Sequence, residues 1–371
     1  MNDQLDPLRT QLADIDRRLI ELISERQKTA AEIGRIKQSA GLATRNFRQE
    51  RDVLDRARGF AEACGVSGEL AETTLLTLIE ASLAVQEQDR IAAFGSGEGG
   101  RALIIGGSGR LGRWLCRFLA QQGYQIEVAD PTPPADGWQH RSRWDAGTLD
   151  QDLIVVAAPL QQSADILQAL CTLKPQGLVF DVGSLKTPLR AALSSLHDAG
   201  VKVTSVHPMF GPSAQMLSGK HVIFINVGND EAVEQAKALF DSTMATQVEM
   251  DIDSHDRLIA YVLGLSHATN LAFVSALAES GETARRLDQL SSTTFDSQLD
   301  IAASVAAENP HLYFEIQYLN DYGTEALSAL LYAVEKLRSV VRAGDERGFT
   351  ALMERCRQYV QTRRQQTSPE G

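Results

Sequence analysis

The feature that most constrains this chain is an apolar seam near its start that is too long for the small domain it opens. Leu5, Leu8, Leu12, Ile15, Leu19, Leu22, Arg26, Thr29, Ile33 and Ile36 recur at alternating steps of three and four, a heptad pattern sustained over more than four repeats. That predicts one long helix over 3–38 lying against another helix. Gly41 interrupts it, and a second helix is expected from about Arg48 to Cys64. Gly65-Val66-Ser67-Gly68 then turns the chain into a third, from about Glu69 to Arg90, with Leu75, Ile79, Ser82 and Gln86 along one face. Three helices of such unequal length point to a bundle completed by a second copy.

Gly95-Ser96-Gly97-Glu98-Gly99-Gly100 has the composition of a linker, and the pattern changes straight after it. Ala102-Leu103-Ile104-Ile105 reads as a short buried strand. Strands at 125–129, 153–157, 178–181, 201–206 and 222–227 then alternate with helices near 161–172 and 187–198, which implies a parallel sheet with helices on its faces. From about Asp230 onward the pattern is almost wholly helical, with an apolar run between Leu258 and Leu277. Such a run reads as a buried helix, often set against a partner subunit. The tail after Arg363 is polar and is expected to fray. The expected division is 1–92 helical, 101–228 nucleotide-binding and 229–371 helical.

A formal net charge of −12 argues against nucleic acid or an anionic membrane surface as partner, since both want a basic face. An acidic chain that binds an anionic metabolite must build a local basic pocket, so individual buried cations matter most. Cys64, Cys116, Cys171 and Cys356 are scattered without a Cys-x-x-Cys pair, so no metal or disulfide framework is expected, and Cys116 and Cys171 read as packed thiols. The polar N-terminus does not resemble a signal peptide, and no apolar run approaches the roughly 18 residues of a membrane span. The expectation is a soluble cytoplasmic homodimer.

Arg26 occupies a seam position where Leu or Ile belongs, and a buried guanidinium is costly unless an anion meets it. Lys37 lies three turns further along nearly the same face, at about 100° per residue. The two cations suit a dicarboxylate; internal salt bridges to Glu50 or Glu80 would satisfy them equally.

Gly107-Ser108-Gly109-Arg110-Leu111-Gly112 follows the 102–105 strand and opens an amphipathic helix, the context a dinucleotide fingerprint requires. Its glycines would let backbone N–H groups approach a pyrophosphate. Asp130 ends the next strand 18 residues after Gly112, where a carboxylate accepts from ribose hydroxyls and repels a 2′-phosphate, favouring NAD over NADP. Two further segments fall at the carboxyl ends of strands, where open parallel sheets place ligands: Asp181-Val182-Gly183-Ser184-Leu185-Lys186 and His207-Pro208-Met209-Phe210-Gly211-Pro212.

Leu8-Arg9, Glu25-Arg26, Gly34-x-x-Lys37, Glu50-Arg51-Asp52 and Ser82-x-x-x-Gln86 together resemble the helical chorismate mutases fused to aromatic-pathway enzymes. The His-Pro-Met-Phe-Gly-Pro segment, with Ser184 and Lys186 upstream, resembles prephenate dehydrogenases. The chain as a whole resembles the bifunctional chorismate mutase–prephenate dehydrogenase family of tyrosine biosynthesis. The resemblance implies an α plus α/β architecture: an intertwined dimeric helical bundle, a Rossmann domain binding NAD, and a C-terminal helical dimerisation domain. It implies that Arg9 reaches the partner's site, that Arg9 and Arg26 hold two carboxylates, and that Lys37 and Gln86 stabilise charge on an ether oxygen. Glu50 and Ser82 would meet the ring hydroxyl region. In the dehydrogenase His207 would take the substrate's hydroxyl proton, Ser184 would orient it, Lys186 would support the site, and His267 matches a further family histidine.

Four positions depart from the family pattern. Asn46 stands where an acid is frequent, and Gln49 where an arginine precedes the matching Glu. Before Asn309-Pro310-His311-Leu312-Tyr313, Asp296 and Ser304 replace carboxylate-binding arginines, and Asp300 makes that helix more acidic still. Either Arg257, Arg285 or Arg286 substitutes, or the substrate carries an amine, as in arogenate or 4-amino-4-deoxyprephenate. A third possibility is a non-catalytic dimerisation module at residues 1–90.

Overall fold

The computed structural model describes residues 2–366, so the polar tail expected to fray beyond Arg363 lies partly outside the described residues. Three helices come first: α1 (Asn2–Ser39), α2 (Phe47–Ala63) and α3 (Gly68–Ala93). Asn46 caps α2 by accepting from Gln49 N–H, and Ser67 caps α3 by accepting from Leu70 N–H, which fixes both starts. A sheet layer follows: β1 (Arg101–Ile105), α4 (Arg110–Gln121), β2 (Gln125–Ala129), β3 (Gln139–Arg141), β4 (Leu153–Val156), α5 (Leu160–Leu173), β5 (Leu178–Asp181), α6 (Arg190–Asp198), β6 (Val203–Pro208), β7 (His221–Ile225), α7 (Asp230–Ala238) and β8 (Thr246–Met250). The remainder is helical: α8 (Ile252–Ile259), α9 (Ser266–Glu279), α10 (Ala284–Asp288), α11 (Thr293–Ala306), α12 (Pro310–Tyr318), α13 (Gly323–Arg342) and α14 (Glu346–Gln366).

The eight strands form one sheet in the order β3-β2-β1-β4-β5-β6-β7-β8. Its central strands are buried on both faces, which is why they read as unbroken Val, Leu and Ile runs. The expectation of a wholly parallel sheet needs one correction, because β6 and β7 pair antiparallel. Two strands also went unread. β3 is three polar residues, and β8 (Thr-Gln-Val-Glu-Met) lies half-exposed at the sheet edge inside a stretch expected to be helical. Neither carries the apolar run that marks a central strand.

The apolar run after Leu258 is also corrected. α8 and α9 join through a π-helical turn (Ala260–Leu265) into one helix, Ile252–Glu279, whose most apolar window has mean hydropathy 1.4 and is only 28% buried. By length and composition it could cross a membrane, contrary to the sequence reading. Yet His255, Asp256, His267 and Asn270 sit on its buried side, where they meet protein groups rather than hydrocarbon. Gln317 Nε2 donates to Gly264 O at 2.7 Å, satisfying a carbonyl within the π turn. The N-terminal half of α1 is likewise uncovered: Leu8, Leu12, Leu19 and Leu22 are each more than half exposed.

The glycine-rich join between α3 and β1 does not behave as a loose tether. Gly97 N–H donates to Gln122 O at 3.0 Å and Gly99 N–H to Gly123 O at 3.1 Å. A Cβ on Gly95 would stand 2.4 Å from Gln122 Cα, so glycine here permits a close backbone approach. The bundle is pinned to the sheet layer a second time. Glu87 of α3, 1% exposed, accepts from the N–H groups of Leu217 (2.6 Å) and Met244, and Arg45 Nη1 donates to Ser218 Oγ at 2.7 Å.

Candidate active sites

The first site lies between α1 and α3. Ser82 and Gln86, one turn apart on α3, face Arg26, Ala30 and Gly34 of α1. Arg26 Nη1 donates to Ser82 Oγ and Leu78 O, each at 3.2 Å, and burial lowers its pKa. Gln86 Nε2 donates to Ala30 O at 2.7 Å, while its Oε1 is buried without a hydrogen-bond partner. Only glycine fits opposite it, since a Cβ on Gly34 would fall 2.5 Å from Gln86 Cγ. Lys37 Nζ donates to Thr44 O at 3.1 Å. The cations therefore meet neutral oxygens rather than the acids offered as alternatives. Glu50 is engaged by Arg45, at 2.8 Å, a residue the sequence reading passed over. A cavity of about 400 Å³ opens beside Gln86, lined by Gly34, Gln38, Thr44, Arg90 and Phe94 among others.

Arg9 does not join this group in its own chain. It is exposed, pairs with Asp6 at 3.2 Å, and lies 17 residues before Arg26, about 25 Å along the helix at roughly 1.5 Å per residue.

The second site sits at the carboxyl ends of β1, β5 and β6. Gly106, one residue before the fingerprint, carries the left-handed turn with φ +85°, and Gly112 lies so close to it that a Cβ there would stand 2.2 Å from Gly106 O. Gly109 caps α4 without any side-chain hydrogen bond, so the first-turn N–H groups face a prospective phosphate. Ser108 N–H and Thr132 N–H hold the Asp130 carboxylate at 3.2 and 2.8 Å, at the rim of a cavity of about 520 Å³ that includes Ile105, Gly109, Trp144 and Ile166. The glycine cradle, the uncapped helix and the ribose-side acid fit NAD. Arg110 and Leu111 complete the turn, with Arg110 reaching Glu308 beyond α11 at 3.2 Å.

Beneath this cradle lies a chain of buried ionisable groups. His207 Nδ1 is 2.9 Å from His255 Nε2, and His255 Nδ1 is 2.6 Å from Asp256 Oδ1. The Asp256 carboxylate also accepts from Lys186 N–H at 3.0 Å and Thr187 N–H at 2.6 Å. Burial works to raise its pKa, but the hydrogen bonds from His255 and Thr187 outweigh it, and the net shift is downward. Lys186, fully buried, donates from Nζ to Asp181 Oδ2 and Val206 O, both at 2.9 Å; burial lowers its pKa against the opposing pull of Asp181. His207 is held well below 6.5 by burial first, then by His255 and Lys186.

Ser184 lies half-buried in the turn after β5. His267 stands apart: it stacks on Tyr313 with ring centroids 4.0 Å apart, and its Nδ1 is buried without a partner. Of the proposed replacement cations, Arg257 lies over the Tyr322 ring at 5.2 Å and Arg286 pairs with Glu282 at 3.1 Å, while Arg285 is exposed. Asp296 accepts from Ser291, and Ser304 Oγ turns back to Asp300 O at 3.0 Å. His255 and Asp256 were missed because adjacent helical residues do not ordinarily meet, and nothing in their spacing marks them. Only the packing of α8 against the turn after β5, where Asp256 accepts from Lys186 and Thr187 N–H, brings them to His207. Cys116 is a packed thiol as expected, pushed up to about 12 by burial first.

A nucleotide-binding sheet carrying a glycine cradle over a buried histidine pair, with a helical bundle fused ahead of it, defines an NAD-dependent dehydrogenase joined to a second catalytic module. The chain belongs to the bifunctional chorismate mutase/prephenate dehydrogenase family: the chorismate mutase type II profile matches residues 8–87, the prephenate dehydrogenase nucleotide-binding domain 142–249, and the prephenate dehydrogenase dimerization domain 251–355. It is 26% identical over 359 residues to the T-protein of Enterobacter agglomerans, covering 96% of this chain and 93% of that one. It is also 27% identical to a 4-amino-4-deoxyprephenate dehydrogenase of Streptomyces pristinaespiralis, covering 70% of this chain and 90% of that one. In fold it is similar to the prephenate dehydrogenase of A. aeolicus solved with hydroxyphenyl propionate and NAD+, with TM-score 0.57 and 18% identity over 71% of this chain and 98% of that one.

Proposed function

We propose that residues 1–92 rearrange chorismate to prephenate and that the remainder, 101–228 with 229–371, decarboxylates prephenate oxidatively to 4-hydroxyphenylpyruvate with NAD, in tyrosine biosynthesis. The observation that carries this reading is the Asp256–His255–His207 chain at the carboxyl end of β6 in the dinucleotide-binding sheet, in a polypeptide that also holds the Arg26–Ser82–Gln86 cluster. The T-protein likeness runs over nearly the whole chain, whereas the amino-substrate relative spans only the dehydrogenase portion, which favours the hydroxyl substrates.

In the bundle the reaction is a unimolecular rearrangement and needs no nucleophile. Arg26 and the partner's Arg9 hold the two carboxylates so that the reacting carbons meet, which is catalysis by orientation. Lys37 and Gln86 meet the negative charge that develops on the ether oxygen, with Glu50 and Ser82 at the ring hydroxyl. Because Arg9 lies so far from Arg26 in its own chain, this requires a homodimer, to which the uncovered seam of α1 and the exposed apolar residues of α8 and α9 also contribute.

In the dehydrogenase Asp256 holds a proton on His255 Nδ1, His255 Nε2 accepts from His207 Nδ1–H, and His207 Nε2 is left with its lone pair free. That tautomer lets His207 Nε2 take the substrate's hydroxyl proton. Gly107 to Gly112 and Asp130 hold the dinucleotide. NAD, when bound, accepts the hydride from the ring carbon bearing the hydroxyl. Ser184 orients the hydroxyl, Lys186 keeps His207 neutral, and His267 lines the substrate side. The protein acts as a soluble cytoplasmic enzyme on small-molecule substrates.

The test is to give purified protein chorismate or prephenate with NAD and follow NADH, with the 4-amino analogues in parallel. NADH from both hydroxyl substrates is expected. NADH from prephenate alone would make the bundle a dimerisation module, and NADH from the amino analogues alone would overturn the substrate assignment.

A further inference from the structure

Ser82 and Gln86 are two members of a stripe on α3 that continues, one turn on, to Arg90. The stripe faces α1 throughout, and its last member borders the cavity shared with Gly34, Gln38, Thr44 and Phe94. No carboxylate lines that cavity, and the side chain of Arg90 makes one contact there, a 3.3 Å hydrogen bond from Nη1 to the neutral Thr44 Oγ1. Glu87, one turn back on α3, directs its two oxygens to the N–H groups of Leu217 and Met244 and reaches Arg90 only through space. Lys37 converges on the same residue as Arg90, through Thr44 O, and the buried Oε1 of Gln86 has no partner. Arg90 and an unsatisfied amide therefore line a space large enough for a small carbocycle, with Lys37 held behind its Thr44 wall.

We infer that Arg90 is a substrate-binding residue of the mutase site, pairing with a carboxylate of the dicarboxylic substrate and supplying the cation that Gln49 does not. This rests on the mutase reading above. The Arg90 guanidinium has one hydrogen bond, to a hydroxyl, and the buried Glu87 carboxylate attracts it without a direct contact, so a ligand carboxylate in the cavity is the group that can engage it through two parallel hydrogen bonds. The Thr44 contact then serves as a resting position from which Arg90 turns to the ligand.

The experiment is steady-state chorismate turnover by full-length wild type, Arg90→Gln and Arg90→Lys, with NADH formation from prephenate in the same samples reporting an intact fold. Arg90→Gln should raise KM for chorismate about tenfold or more, roughly the strength of one charge-assisted contact, with kcat changed less. Arg90→Lys should recover part of that loss. If Arg90→Lys recovers none of it, the charge is not what the site uses and the assignment fails. An unchanged KM in Arg90→Gln overturns it as well. Wild-type protein inert toward chorismate overturns the mutase reading itself, and this assignment with it.

Discussion

His207 Nδ1 and His255 Nε2 stand 2.9 Å apart with a single proton to share, and the Asp256 carboxylate on the far side of His255 decides which ring carries it. Asp256→Asn keeps the shape but can present an amide N–H to His255 Nδ1, which reverses the donor order down the chain. A His207 with its proton on Nε2 cannot accept one from substrate. The dehydrogenase kcat should fall by about 10²–10⁴-fold, the usual worth of a general base, with chorismate turnover unaffected. Stopped-flow measurement of NADH formation checks this, and a loss below tenfold would contradict the tautomer argument.

The pH dependence follows from the direction of the His207 shift. Burial, His255 and Lys186 all lower its pKa below 6.5, so the neutral, competent form persists as pH falls past that value. Dehydrogenase kcat/KM should therefore stay level through about pH 6.5 and decline only at more acid pH. The same depressed pKa contributes stability that is present above about 6.5 and is lost as pH falls through the folded value, because the unfolded chain then binds the extra proton. Denaturant titrations at several pH values test the sign.

Lys186 and Asp181 form an ion pair with both side chains fully buried. Lys186→Met leaves Asp181 buried and charged with only the Gly183 N–H, at 2.8 Å, to meet it, which should destabilise the protein by about 3–5 kcal/mol. The double variant Lys186→Met with Asp181→Leu should recover most of that, while its dehydrogenase pH profile moves toward higher pH as the positive charge beside His207 is lost. Thermal unfolding of wild type and the two variants checks the stability effect, and kcat/KM measured against pH checks the other.

Gly34→Ala tests the mutase geometry without touching a polar group. Alanine is favoured over glycine in a helix by about 1 kcal/mol, so α1 should hold. Its Cβ nevertheless needs the space of Gln86 Cγ and Cδ, at 2.5 and 2.8 Å, and must move that amide off Ala30 O. Chorismate turnover should fall by roughly tenfold or more with prephenate turnover unchanged, since the displaced amide is one transition-state donor. Equal loss of both activities would point to misfolding instead.

Much of this was legible from patterns that local physics imposes. The helix at 3–38, the strands at 125–129 and 178–181, and the glycine turn before α4 each follow from a periodicity or a close approach that only certain residues allow. His207 and Lys186 were visible because they fall at strand ends, and Arg26 because it breaks an apolar seam. His255, Asp256, Arg45 and Arg90 were not, because each acquires its meaning only through a contact distant in sequence or set by side-chain direction. The edge strand β8 escaped because exposure on a sheet margin leaves no apolar signature. The run after Leu258 was read as a helix to be covered, often by a partner subunit, and within the single chain most of it is uncovered.

Glu87 gives the join between the two enzymes a different standing from the one its glycines suggest. Its carboxylate sits inside a seam where both acceptors are taken by N–H groups of the dehydrogenase portion. Cutting the gene at the glycine-rich stretch, the division its composition invites, would strip those donors from α3 and leave two backbone amides on the other half facing a groove, beside Trp114 and Phe118, that Ile91 of α3 had helped to cover. The join is thus a packed interface as well as a covalent one, and each half would meet water on a surface that the other now covers.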